Sequence, residues 1–245
     1  MQCFCGRPAL DNGLCIYHDD SCVKDPRCRK KLVFAIDCEL CHLPGGEVSG
    51  AQPRLRGAKI HGPLLIESVA GDIDLREARG RDLIVYNVRG GVLLTSSRFA
   101  HVYVDLVLGE VAFSQGRAQS FVASRVEGRV DLSKAVMRGH VLIYDTKGVI
   151  DIRGASIAGE FIIDRHKGVV SLGARAYSIT IARVKGDVDI SGAEVEGDIY
   201  VLESEGDRLD LSGVEVGGRV YILESSFSGV RVDKAEVLKK IFYAR

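Results

Sequence analysis

The apolar residues of this chain repeat together with its glycines. Eight glycines follow one another at nearly constant intervals, and apolar residues hold the second and fourth places after most of them. The glycines are Gly71, Gly90, Gly109, Gly128, Gly148, Gly168, Gly186 and Gly206, and the apolar pairs include Ile73/Leu75, Val92/Leu94, Val130/Leu132 and Ile150/Ile152. The pattern therefore predicts a series of similar structural units.

Within one unit the apolar positions are spaced in fives. With the glycine numbered one, they are 3, 5, 8, 10, 13, 15 and 18. This spacing matches neither the 3.6-residue period of a helix nor the unbroken alternation of a flat strand. A chain that turns a corner after every five residues places all of them on one interior. We therefore expect an all-β fold, a four-sided parallel β-solenoid of about nine coils and roughly 40 Å in length.

The two ends of such a stack need covers, because a terminal coil exposes unpaired backbone and apolar surface. A short helix over residues 25–37, with Asp25 as N-cap and Pro26 in the first helical position, is placed to cover the first coil. The segment from Lys234 to Arg245 is placed to cover the last. We expect a small module at 1–24, a helical linker at 25–43, the solenoid at 44–237 and a C-terminal cap at 238–245.

Composition narrows the class of protein. The chain has 245 residues, 46% of them hydrophobic, and 33 basic side chains balance 33 acidic ones. This excludes wholesale disorder and the overall positive charge of a typical nucleic-acid binder. No apolar stretch approaches the ~18 residues of a membrane span, and the N-terminus has no secretory pattern. We expect a cytoplasmic protein with no membrane contact.

All seven cysteines lie at one end of the chain, between Cys3 and Cys41. Cys3-x-Cys5 and Cys15-x-x-His18 form two ligand pairs joined by a loop with an Asn-Gly turn, a spacing that suits Zn²⁺ held by three thiolates and one imidazole. Such a short unit is too small to form a stable hydrophobic core by itself, so we expect a bound metal ion to stabilise it. Disulfides, or unliganded thiols beside a surface histidine, are the alternatives.

The other four cysteines are harder to interpret. Cys38 and Cys41 have the spacing of a ligand pair, whereas Cys22 and Cys28 lie six residues apart. A second zinc site at Cys22, Cys28, Cys38 and Cys41, a disulfide arrangement and free buried thiols all remain open.

Two segments carry the signs of a known family. Val188-Asp189-Ile190-Ser191-Gly192 and Ala193-Glu194-Val195-Glu196-Gly197 resemble the pentapeptide repeat, although valine or isoleucine often replaces the central leucine or phenylalanine. The resemblance extends over the predicted coils, from Gly50 to Val237. It implies a right-handed quadrilateral β-helix of twenty residues per coil. Cys15-Ile16-Tyr17-His18-Asp19, ahead of a short charged helix, is similar to a Cys/His module found before such repeats. The understood members of the family are mostly non-catalytic, and some mimic DNA and bind a topoisomerase.

Charge is unevenly distributed along the predicted rod. Residues 76–185 carry seventeen basic and ten acidic side chains, whereas residues 186–229 carry two basic and eleven acidic ones. Arg79, Arg98 and Arg117 are spaced to stack on consecutive coils, where like charges repel unless something neutralises them. An anionic partner would neutralise them. The favoured alternative is an intramolecular network with nearby carboxylates, namely Glu77, Asp82, Asp105, Glu110 and Glu127.

Catalytic groups are few. His61, His101, His140 and His166 lie in the predicted solenoid, but His101 and His140 are two coils, or ~10 Å, apart, which is too far for one ion. Asp145 and Asp164 fall on one side without an evident pocket or nucleophile. We therefore expect a non-catalytic protein-interaction or scaffold protein that binds zinc and a protein partner. Self-association stays open. A nucleic-acid-associated protein is the alternative, and an enzyme is the third and least favoured one.

Overall fold

The computed structural model describes residues 2–3, 7–29, 31 and 36–244, and over these it is an all-β parallel solenoid of about eleven turns with little helix. The helices are α1 (Asp20–Lys24), α2 (Pro26–Arg29) and α3 (Ala235–Leu238). The strands are β1 (His42–Leu43), β2 (Gly46–Ser49), β3 (Lys59–Ile60), β4 (Leu64–Ala70), β5 (Ile73–Asp74), β6 (Asp82–Arg89), β7 (Val92–Leu93), β8 (His101–Leu108), β9 (Val111–Ala112), β10 (Arg117–Ala118), β11 (Ser120–Asp131), β12 (Val136–Met137), β13 (Val141–Asp151), β14 (Ser156–Ser171), β15 (Arg175–Ala182), β16 (Val188–Asp189), β17 (Glu194–Val195), β18 (Ile199–Leu202), β19 (Glu205–Asp210), β20 (Glu215–Val216), β21 (Val220–Leu223), β22 (Ser226–Arg231) and β23 (Ile241–Ala244).

Each coil pairs with the next in parallel and in register. The pairing of β6 with β8 places Leu83 beside Val102, and the pairing of β8 with β11 places Val102 beside Phe121. Residues about twenty apart in sequence therefore become neighbours ~4.8 Å apart, and each position of the repeat forms a column along the rod.

The core is the interior of the tube. In the coil that follows Gly71, the side chains of Ile73, Leu75, Ala78 and Leu83 are almost fully buried, as the spacing in fives predicts. Coils of twenty residues place the extra residue at a corner near Gly139 or Gly159, because Val141 and Phe161 remain in register with Phe121. The interior is therefore unaffected by the change in coil length.

One corner of the tube explains the repeated glycines. Gly128 has φ +147°, and a Cβ on it would overlap the carbonyl oxygen of Gly109 and lie 2.7 Å from that residue's carbonyl carbon. Gly109 stands in the same relation to Gly90. The coils approach each other too closely at this corner to admit a side chain.

The stack extends past both predicted ends, which corrects the expected nine coils to about eleven. Parallel pairing already begins at Asp37, which bridges to Arg54. At the other end β23 pairs in parallel with β21, so Val220 lies beside Ile241. The part of the expected cap that forms β23 thus adds strand to the tube, after the single turn of α3.

The predicted helix over residues 25–37 begins as expected but is shorter. Pro26 is the first residue of α2, and the backbone N–H of Arg27 donates to Oδ1 of Asp25 at 2.8 Å. The helix ends at Arg29, and Asp37 lies in the first coil. Residues 30 and 32–35 of the predicted helix lie outside the described residues. A separate helix that the sequence pattern did not indicate, α1, precedes it with Asp19 as N-cap.

Candidate metal centre and charged side

Two tight turns bring the first ligand residues together. Gly13 has φ +80°, and its N–H donates to the carbonyl of Leu10 at 2.9 Å, so the chain reverses at the predicted Asn-Gly turn. The N–H of His18 donates to the carbonyl of Cys15 at 2.9 Å, which holds these two residues in a second turn. The loop therefore returns the Cys15/His18 pair to the vicinity of Cys3.

His18 is the centre of the cluster. Its Nδ1 lies 3.1 Å from Sγ of Cys15 and 3.6 Å from Sγ of Cys3, and both cysteines are buried. Ligand atoms around a tetrahedral zinc, at ~2.0 Å for nitrogen and ~2.3 Å for sulfur, would lie ~3.5 Å apart. The described ligands fit that arrangement. Cys5, the fourth predicted ligand, lies outside the described residues.

The other ring nitrogen of His18 faces a second pair of cysteines. Nε2 lies 3.6 Å from Sγ of Cys41, and His18, Cys38 and Cys41 form another group able to hold a metal ion. Nε2 is also 3.0 Å from the carbonyl oxygen of Glu39, where its N–H would donate. Such a bond makes Nδ1 the ligand atom, which favours the Cys3/Cys15 set.

The four remaining cysteines are not gathered at one point. Cys22 lies within disulfide distance of Cys28, and Cys38 within that of Cys41, with Cα–Cα separations of 4.9 and 5.7 Å. Among the described residues, no group of three metal ligands contains both pairs. Cys38 and Cys41 belong to the core of the first coil, whereas Cys22 is on α1.

Asp20 and His42 connect the N-terminal segment up to Lys24, which we call the head, to the first coils. Nε2 of His42 lies 2.6 Å from Oδ1 of Asp20, and Nζ of Lys59 lies 3.1 Å from the same oxygen. His42 is buried and stacks on His61, with Nδ1 of His42 3.3 Å from Nε2 of His61. Burial lowers the pKa of His42, although Asp20 opposes this shift.

Arg79, Arg98 and Arg117 do stack on three consecutive coils. Arg79 bridges to Arg98 and Arg98 to Arg117, and all three side chains are exposed. No carboxylate oxygen of the described residues lies within 4.0 Å of their guanidinium groups. The expected intramolecular network therefore does not include this arginine column.

Four of the five carboxylates expected to neutralise the column pair with other arginines. Those with a partner are Glu77 with Arg56 at 2.6 Å, Asp82 with Arg81 at 3.9 Å, Asp105 with Arg125, and Glu110 with Arg129 at 3.7 Å. Asp105 is buried, and the hydrogen bond from Arg125 holds its pKa below the usual value. These four arginines, rather than the column, thus neutralise the nearby carboxylates.

A groove runs beside a buried histidine, His166. It has a volume of about 560 Å³ and is lined by Lys147, Lys167 and His166 among others. Nδ1 of His166 lies 2.8 Å from Oγ1 of Thr146, and burial lowers the pKa of His166 to about 4. Asp145 lines this groove and Asp164 is on the next coil, but Nε of Arg165 lies 2.7 Å from a carboxylate oxygen of Asp145 and 3.8 Å from one of Asp164. Both carboxylates are thus salt-bridged to the same guanidinium group.

His101 and His140 lie on the surface two coils apart, and Ser120 lies between them along the stack. Nδ1 of His101 is 2.7 Å from Oγ of Ser120, which is its partner on the next coil. Nδ1 of His140 accepts from the N–H of Glu160 at 3.2 Å, one coil further on. The expectation that these histidines are too far apart to share an ion agrees with this register.

Two features of the site were not inferred from the sequence. One is the position of His18 between two cysteine pairs. The other is that the arginine column ends in glutamates, because Arg175 pairs with Glu194 and Glu194 with Glu215 at the same position of the repeat. The second feature depends on the register between distant coils, which the varying glycine intervals leave open.

Comparison with models of known protein families and with curated proteins finds no match. No helix among the described residues is long and apolar enough to cross a membrane.

Proposed function

We propose that this protein is a non-catalytic interaction or scaffold protein. A head stabilised by zinc precedes a rigid rod, and the outer sides of the rod bind another protein. The observation that carries the proposal is the exposed arginine column of Arg79, Arg98 and Arg117. Other solenoid arginines, such as Arg125, Arg153 and Arg183, bond a carboxylate on their own or an adjacent coil. Guanidinium groups left without such a partner on one flat side are suited to meet a partner's charge.

The solenoid is proposed to be a divergent pentapeptide-repeat protein. Its parallel coils, its two inward residues per side and its corner glycines support this assignment. A rod of this kind offers long flat sides and shallow grooves, a surface typical of proteins that bind extended partners.

Zinc is the metal that we propose for the head. Two buried thiols and an imidazole nitrogen support it, because this mixture of soft sulfur and nitrogen ligands is typical of structural zinc sites. Cys3, Cys15 and His18 would hold the ion, with Cys5 as the fourth ligand. The ion would fix the loop between the two turns and so hold the head together. A cytoplasmic location stays a prediction of the sequence.

Association with nucleic acid is the second candidate function. The same arginine column favours it, since arginine binds phosphate through paired N–H groups. The acidic residues that continue the column oppose it, because a phosphate backbone laid along the whole side would meet Glu194 and Glu215.

The experiment that tests the proposed function is cross-linked affinity capture from the cells of origin. The bait proteins are the unaltered chain, an Arg79→Glu/Arg98→Glu/Arg117→Glu variant and a control, Lys134→Glu/Lys147→Glu/Lys167→Glu, with the same change in charge on other sides. We expect a protein other than the bait itself that is lost only with the arginine variant. Equal recovery from all three baits, or recovery of none, contradicts the proposal. A mobility shift of DNA or RNA at low salt that the arginine variant alone loses supports the second candidate.

A further inference from the structure

One column of outward residues runs the length of the solenoid and changes sign along it. It consists of Lys59, Arg79, Arg98, Arg117, Val136, Ser156, Arg175, Glu194 and Glu215, each paired with the next across adjacent coils. Its first four members are basic; valine, serine and one further arginine, Arg175, follow, and its last two are acidic. We call this surface the sign-changing side.

Two grooves on this side share the column and carry opposite charge. The basic groove, of about 540 Å³, is lined by Arg98, Arg117 and Arg138 with Phe99 and Gln119. The acidic groove, of about 460 Å³, is lined by Glu194, Glu196 and Glu215 together with Arg175. Arg98 and Glu215 are six coil steps apart, or about 29 Å. One molecule therefore presents both halves of a complementary pair of surfaces.

We propose that one protein partner of this side is a second copy of the chain, docked in the antiparallel direction; this inference rests on the function proposed above. A two-fold axis that lies in the interface and crosses the rod reverses the order of the coils but leaves each column facing itself. If the axis passes at Ser156, Arg98 meets the second copy's position 215, and Arg117 meets its position 194. Both contacts pair arginine with glutamate, and symmetry makes each of them twice.

The centre of the side also fits this arrangement. Val136 and Tyr177 are apolar side chains left exposed there, and Tyr177 is 53% accessible. The same axis brings Arg138 opposite the Tyr177 position, a contact in which a guanidinium group stacks on an aromatic ring. Ser156 and the neighbouring Ala158 face their own copies, and these small side chains allow close approach. The exposed apolar surface at the middle of the rod would thereby be covered.

The glutamates are available for such contacts. Glu194 is paired with Arg175 at 2.6 Å and Glu215 with Lys234 at 3.1 Å, but all four side chains are 40–70% exposed. Exposed single pairs of this kind are weak and exchange readily. Among the described residues Glu196 has no ion-pair partner within 4.0 Å. An incoming arginine therefore gains an attraction at small cost.

The area matches a reversible dimer. A side of five extended residues is up to ~16 Å wide, and an overlap of about eight coil steps is ~38 Å long, which gives roughly 600 Å² per copy. The total of roughly 1,200 Å² is at the lower limit for specific interfaces. A second copy is favoured over nucleic acid because it alone complements both the basic and the acidic half.

The test is a charge-swap series followed by sedimentation velocity as a function of concentration at low salt. The unaltered chain is expected to form a dimer that weakens as salt increases. Arg98→Glu/Arg117→Glu and Glu194→Arg/Glu215→Arg should each weaken the homodimer at least ~100-fold, because like charges then face each other four times. An equimolar mixture of the two variants should dimerise again, since each pairs glutamate with arginine at every contact.

Lys147→Glu/Lys167→Glu is the matched control. These lysines are exposed, lie on adjacent coils of another side and give the same change in net charge as Arg98→Glu/Arg117→Glu. The control should dimerise like the unaltered chain. Thermal unfolding of each variant verifies that it is folded before the association is measured.

A monomer at all concentrations and low salt overturns the proposal, and so does a dimer that both reversals leave intact or that the mixture does not restore. Low-salt binding of DNA or RNA by a chain that stays monomeric overturns it too. These outcomes are separate from the capture experiment above, because a monomer can still bind another protein, and a dimer can form when no other protein is captured.

Discussion

The head and the solenoid are stabilised by different chemistry. In the head, Cys3 and Cys15 are buried but do not belong to the hydrophobic core, and His18 gathers the thiols around one point. The solenoid beyond Cys41 contains no cysteine and relies on stacked aliphatic side chains such as Val104, Ile143 and Ile163. A small unit needs a local cross-link, whereas a repeat gains stability from every interface between coils. Changes in one region should therefore affect the other only weakly.

The largest expected effect is overpacking at the glycine corner. Gly128→Ala places a Cβ against the carbonyl of Gly109 and also forces a side-chain residue into φ +147°. Strain and overpacking together should lower the free energy of unfolding by about 4 kcal/mol. Chemical denaturation followed by circular dichroism measures this loss.

Gly192→Ala is the control for that change. Gly192 has φ +68° with nothing within 4 Å of a built Cβ, so only the left-handed conformation is penalised, by about 1 kcal/mol. Equal losses for both variants would show that close contact between coils is not the reason for the glycine column.

The next largest effect is the pH dependence that comes from His166. Its pKa is lowered by burial to about 4, whereas an unfolded histidine titrates near 6.5, so the unfolded chain takes up the proton first as the pH falls. The contribution of neutral His166 to the free energy of unfolding is fully present above about pH 6.5. It should fall by ~3 kcal/mol as the pH decreases from 6.5 to 4. The measurement is urea denaturation at each pH.

The His166→Val variant should lose this part of the pH dependence, because it has no titrating group at this position. Valine should fit there, since Val126 and Val184 occupy the same buried column. His140→Ala, on the exposed surface, should keep it. Asp105 and Asp151, whose pKa values are lowered by Arg125 and Arg153, contribute stability that is lost only at lower pH, below about 4. A flat profile between pH 6.5 and 4.5 in the unaltered protein would contradict the buried, neutral state of His166.

Removal of the metal separates the two regions directly. We expect one zinc per purified chain by elemental analysis, and Cys15→Ser should abolish it by removing a ligand of the Cys3/Cys15/His18 set. The solenoid should lose less than about 1 kcal/mol, because each coil is supported by its own neighbours.

Two zinc ions per chain would recruit Cys38 and Cys41 as ligands, and the absence of zinc would remove the proposed head site. Cys22→Ser is the control, since Cys22 faces Cys28 on the neighbouring helix and should leave the zinc content unchanged. A large loss of solenoid stability with Cys15→Ser would show that the head and the coils fold as one unit.

The smallest effect on stability is expected on the sign-changing side. Arg98→Glu/Arg117→Glu should change the free energy of unfolding of the monomer by less than about 0.5 kcal/mol per residue, because neither arginine has an ion pair to lose within the described chain. Thermal unfolding at a concentration below that of association measures it. A stabilisation of more than about 1 kcal/mol would instead indicate strong repulsion within the column.

The period of the sequence was sufficient to predict the solenoid, its inward positions and its corner glycines, because the same spacing is repeated many times and errors in one coil do not accumulate. The number of coils was underestimated, since the first and last coils, at Asp37 and at Ile241–Ala244, lack the glycine that marks the others. The start of α2 was predicted from Asp25 and Pro26, whereas its early end was not.

The sequence by itself determined which residues lie inside the tube and which cysteines have ligand spacing, since both depend on short distances along the chain. Only the tertiary structure decided that His18 stands between Cys15 and Cys41, and that Glu194 continues the column of Arg117. Glycine intervals that vary from one coil to the next leave the register of distant coils open, and the backbone hydrogen bonds between neighbouring coils fix it.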